Sequence, residues 1–271
     1  MMLHTFNYTL LEVAPYINWV YFFHAWGLSG KPQQEKDKLQ AEAELMLKDM
    51  DQQFHTHAIG GLFDANADGD DIIIDGQHLP MLRQQKPSAP GQPNLCLADF
   101  IRPIEQGIPD RIGVFAATVD RSMEMQFADD AYRRMMVQTL ADRLAEATIE
   151  KVHAEVRRTL WGYAPHEQLS IQEMLVEHFQ GIRPAVGYPS LPDTSMNFLL
   201  DHLLHFASIG IRLTTSGAMM PHASVSGLMF AHPQAHYFDL GKIDDSQLAD
   251  YARRRGVPVN VMRRFLAGCL Q

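Results

Sequence analysis

Residues 181–189 read Gly-Ile-Arg-Pro-Ala-Val-Gly-Tyr-Pro and bring a guanidinium, small residues and an aromatic together between rigid prolines. Arg183 can form two parallel charge-assisted hydrogen bonds to a carboxylate, and Pro184 fixes the backbone after it. Ala185 and Gly187 let main chain approach a ligand closely. Tyr188 could cover an adenine ring or a sulfonium by stacking or cation-π contact. Such a loop can hold a zwitterion. The residues alone leave a second reading equally open, a proline-bounded loop whose arginine caps the carbonyls of a preceding helix.

Other constellations point away from common chemistries. Asp64, Asn66, Asp68, Gly69 and Asp70 space their oxygens like the first half of an EF-hand loop, but position nine falls on Ile72 and position twelve on Asp75 instead of a bidentate glutamate. A hairpin turn is expected there, and no metal site. His202 and His205, preceded by Asp201, lack the glutamate pattern of a zinc protease and read as a half-exposed helix surface. His55 and His57 show no ligand spacing. The two cysteines, Cys96 and Cys269, lie far apart, so neither a disulfide framework nor a cysteine zinc site is supported and a reducing cytoplasm is expected. A serine-hydrolase elbow, a Walker loop and a Gly-x-Gly-x-x-Gly fingerprint are absent from the sequence.

The elements that must position the nonamer follow from caps and periodicity. Thr9 with Glu12 makes a capping box for a short helix. Residues 34–54 contain no glycine or proline and repeat Leu39, Ala43, Leu47 and Met50 at helical spacing, which predicts one amphipathic helix. Apolar runs at 58–63 and 71–74 predict short strands around the acidic turn, 84–94 reads as a loop with three prolines, and 112–119 as a strand. The longest helical signal spans 129–160, with Met135, Met136, Leu140, Leu144, Ala147 and Val152 near one face. Ser170 with Glu173 starts another helix, which Gly181 can end in a left-handed conformation. Helices are predicted at 198–209 and 245–255 and strands at 211–214 and 225–230. Without regular βαβ alternation, this mixture predicts an α+β fold.

Bulk properties narrow the partners. With 271 residues, 46% hydrophobic and 20% charged, the chain can build a real core as one domain or two. A net charge of -9 argues against nucleic-acid or anionic-membrane binding, and the run Arg253, Arg254, Arg255 is expected to be a solvated helix face. Residues 1–7 do not resemble a leader peptide, and no run approaches the ~20 apolar residues a membrane helix needs.

An ordered set of segments resembles the activation domain of cobalamin-dependent methionine synthase. These are Tyr16-Ile-Asn-Trp19, Gly61-Leu-Phe with Gly69-Asp-Asp-Ile72, Cys96-Leu-Ala-Asp-Phe100, Leu140-Ala-Asp-Arg-Leu-Ala-Glu146 and Trp161-Gly-Tyr-Ala-Pro165, then residues 181–189, Ala223-Ser-Val-Ser-Gly227, His232-Pro233 and Asp250-Tyr-Ala-Arg-Arg254. The resemblance runs nearly end to end and implies a single C-shaped α+β domain over residues 1–271, a twisted, largely antiparallel sheet with flanking helices. It implies S-adenosylmethionine as ligand, with Arg183 on its carboxylate and Ala185, Gly187 and Tyr188 as loop contacts. Tyr237 matches a further binding-site tyrosine, and Phe238 stands where the family often has a second one. Glu146 and Glu177 match two acids near the sulfonium. Where the family commonly places an aspartate on the ligand's ammonium, this chain has Asn18, implying a grip weaker by roughly 1 to 2 kcal/mol. Also implied are a cobalamin-binding methionine synthase subunit as partner, the cobalamin being carried by it, and a flavodoxin-like electron donor. The function implied is reductive methylation of inactive cobalamin. A non-catalytic sensor or adaptor for the same ligand, or a reactivator of another corrinoid protein, are the alternatives.

Overall fold

One strand organises the sheet. In the computed structural model, which describes residues 2–271, the strands are β1 (Met2–Thr9), β2 (His55–Asp68), β3 (Asp71–Ile74), β4 (Gln77–Pro80), β5 (Asp110–Val119), β6 (Arg212–Leu213), β7 (Met219–Met220) and β8 (Ser224–Met229). The helices are α1 (Leu10–Val13), α2 (Trp19–Ala25), α3 (Gln33–Met50), α4 (Arg121–Glu124), α5 (Ala131–Glu155), α6 (Ile171–Leu175), α7 (Met196–Leu204), α8 (Asp245–Arg254) and α9 (Val259–Phe265). All pairings are antiparallel, in the order β4-β3-β2-β5-β8, and the sheet curls on itself. β2 is long enough to pair β1 and then β3 along one edge while β5 runs along the other.

The α+β expectation holds, and β5 shows why its sequence is apolar without alternation. Ile112, Val114 and Ala116 face a core with α7, whereas Phe115 and Ala117 face α5 through Ala145, Ile149 and Val152. A strand covered on both faces needs apolar side chains at every position. The 34–54 prediction is matched by α3, which buries Leu39, Ala43, Leu47 and Met50. Both capping boxes form, on α1 and α6.

Four expectations are corrected. The strand predicted to stop at 63 continues to Asp68, because Asn66 donates to the carbonyl oxygens of Arg102 and Ile108 and holds the segment extended; the turn narrows to Gly69 and Asp70. The 198–209 helix ends at Leu204, where His205 takes a left-handed φ of 56°, so His202 and His205 do not share a helical face. The helix begun by Ser170 ends at Leu175, well before Gly181, and the left-handed residue after it is Glu177. The arginine run is not a solvated face. Arg253 is exposed, but Arg254 bonds Asp71, Asp250 and the Met81 carbonyl, and Arg255 reaches Asp193 and Ser195 in the interior.

Candidate functional site

The nonamer lies along the free edge of β8. Ile182 and Phe230 exchange main-chain hydrogen bonds, Leu228 donates to the Pro184 carbonyl, and Val186 donates to that of Ser226. Pro184, with no N–H, keeps this added edge from forming a full ladder. Two glycines permit the approach. A β-carbon on Gly227 would stand 2.2 Å from the Pro184 oxygen, and one on Gly181 2.2 Å from the Phe230 oxygen. Gly187, at φ +91°, makes the turn that follows, its N–H donating to the Leu191 carbonyl at 2.8 Å.

This edge forms one wall of a groove of about 500 Å³. The facing walls are α5 with Arg143, Glu146 and Glu150, the entry to α2 with Tyr16, Asn18 and Tyr21, the end of α6 with Met174, Leu175 and Glu177, and residues 237–239. Every site residue expected from the sequence lines it except Gly187, which shapes the turn behind Tyr188. Glu150 and Asp239 are additional charged lining residues. Glu150 was signalled only by its place one helical turn after Glu146.

The charges are arranged unequally. Arg183 Nη2 donates to Glu150 Oε2 at 2.5 Å, Nη1 stands 3.8 Å from Glu146, and Nε has no partner among the described residues. Burial opposes the Arg183 charge, but Glu150, Tyr237 and Glu146 outweigh it and raise the pKa. The Arg183 main-chain N–H donates to Tyr237 Oη at 3.0 Å, and Tyr188 Oη donates to Glu146 at 2.9 Å. Burial lifts Glu177 above its ordinary value while Arg183 pulls it down. Asn18 caps α2, its Oδ1 accepting from the Val20 N–H at 3.1 Å, so the amide oxygen expected to meet an ammonium already has a donor. Arg183 does not serve as a helix cap, which removes the alternative reading of the loop.

A groove of this size, mostly apolar with a few convergent charges, marks the protein as a small-molecule-binding α+β domain. The chain matches the family model for the vitamin B12-dependent methionine synthase activation domain over residues 9–256. It also superposes on the crystal structure of the MetH reactivation domain bound to AdoHcy with a TM-score of 0.93 at 38% identity, covering 100% of this chain and 90% of that one. The protein belongs to the family of vitamin B12-dependent methionine synthase activation domains. Among the described residues no helix is long and apolar enough to cross a membrane, and no cluster of three His, Cys, Asp or Glu is placed to hold a metal.

Proposed function

We propose that this chain binds S-adenosylmethionine in the groove and supports reductive methylation of inactive cobalamin on a methionine synthase partner, residues 1–271 acting as one activation-type domain. The reading rests chiefly on Arg183, a largely buried guanidinium in the groove wall whose Nη1 makes no hydrogen bond among the described residues. A carboxylate is the natural acceptor for it. In the relative of known structure the ligand is AdoHcy, the demethylated form of the same molecule.

Arg183 holds the ligand's carboxylate. Tyr188 covers the adenine, main chain near Ala185 follows the ligand closely, and Tyr237 and Phe238 close the opposite side. Glu146 and Glu177 set negative charge near the sulfonium, which a partly dry groove makes effective. A partner's cobalamin, once reduced by an electron from flavodoxin or a similar donor, would supply the nucleophile for the methyl group, with the sulfur leaving as the thioether. The residues here contribute binding and orientation, and no general base is required.

Calorimetry on the wild type and Arg183→Ala tests the site: the substitution should weaken S-adenosylmethionine at least about tenfold. Undiminished binding overturns the assignment. Mixing the protein with a cobalamin-binding component lacking its own activation domain, under strong reductant, should transfer the methyl group. Binding without transfer would favour a sensor or adaptor.

A further inference from the structure

Helix α5 grips the ligand loop at two points one turn apart. Glu146 accepts from Tyr188 Oη, and Glu150 accepts from Arg183 Nη2. Glu146 is partly open to solvent, whereas Glu150 is only 4% exposed. A carboxylate at that depth without a cation would carry a large desolvation penalty, so its partnership with Arg183 is tightly held.

We propose that Glu150 is the positioning residue that sets the Arg183 guanidinium for the ligand's carboxylate, acting through Arg183 without touching the ligand. The inference rests on the S-adenosylmethionine reading of the groove. Arginine loses much rotameric freedom when it is fixed, and a ligand that must do the fixing binds more weakly. Here the fixing precedes the ligand. Tyr237 holds the arginine's main chain at one end, and Glu150 holds one terminal nitrogen at the other. Nη1 meets Glu146 only at 3.8 Å, beyond hydrogen-bond reach, whereas Nε, also without a partner among the described residues, is shielded from solvent. The guanidinium is therefore anchored through one terminal nitrogen and keeps Nη1 unbonded for an incoming carboxylate.

Two ligands separate positioning from general structure. S-adenosylhomocysteine carries the carboxylate, whereas 5′-methylthioadenosine keeps the adenosine and thioether but lacks the amino-acid end. Glu150→Gln should weaken S-adenosylhomocysteine about tenfold and change methylthioadenosine by less than about twofold, both read by calorimetry. Glu150→Asp, which keeps the charge but withdraws it by one methylene, should recover part of the loss, and it carries the same two-ligand measurement if the glutamine variant does not fold. Equal losses for both ligands, or no loss for either, overturn the role of Glu150. Failure of the wild type to bind S-adenosylhomocysteine would instead overturn the functional reading beneath it.

Discussion

A guanidinium that must hold a ligand in a partly buried groove needs a counter-charge of its own, because burial works against any lone ion. Glu150 provides it for Arg183. In the proposed binding mode the ligand's ammonium end would meet Asn18, which carries no such charge. Its amide oxygen spends one lone pair on the α2 cap and offers an ammonium at most a second, uncharged one, while the amide NH2 is a donor facing another donor. Aspartate would keep one oxygen for the cap and free a second, charged one. Asn18→Asp should therefore tighten S-adenosylhomocysteine by about 1 to 2 kcal/mol, roughly tenfold in a calorimetric titration. An unchanged affinity would remove position 18 from the site.

At the scale of elements, the loop depends on a strand rather than on the helix before it. Spacing and composition identified residues 181–189 as chemically capable, but Gly181 read as a helix terminator because its neighbours in sequence are all that periodicity can see. In the structure Gly181 faces the Phe230 carbonyl and Gly227 faces that of Pro184, each partner nearly fifty residues away in one case and over forty in the other, as their numbers show. Gly227→Ala should push the loop off the β8 edge, lowering stability by about 1 to 3 kcal/mol in urea unfolding and weakening ligand binding with it. Wild-type values for both would show that the close approach does not hold the loop in place. Starts set by local signals were legible, although several ends were not: the capping boxes on α1 and α6 and the apolar stripe of α3 need only residues within a few turns. Glu146, Glu177, Tyr237 and Phe238 were singled out by family resemblance, since no spacing links them.

Across the whole molecule, a buried network joins the end of α5 to residues 161–180 behind the groove. Arg157, fully buried, makes a fork to Glu167, lies over the Phe179 ring at 4.1 Å and donates to His153 Nδ1 at 2.9 Å. Burial, then Arg157 and Arg183, hold His153 well below its ordinary pKa. The folded state thus binds this proton less readily than the unfolded chain, so the network's stability is full above the unfolded value of about 6.5 and is lost as the pH falls below it, by up to about 1.4 kcal/mol per pH unit. His153→Gln keeps an acceptor for Arg157 without the titration. Urea unfolding between about pH 7.5 and 5 should show a slope shallower than the wild type's by up to one proton, and identical slopes would refute the assignment. The amino-acid sequence by itself determined the α+β class, the main helices, the reactive loop and the family, because caps, periodicity and ordered motifs are written in neighbouring residues. Only the tertiary structure decided that Arg183 is held by Glu150, that Arg254 and Arg255 are drawn inward, that Asn18 caps α2 and that burial pushes the His153 pKa down. Those outcomes depend on burial and on partners distant in sequence, and both exist only once the chain has folded.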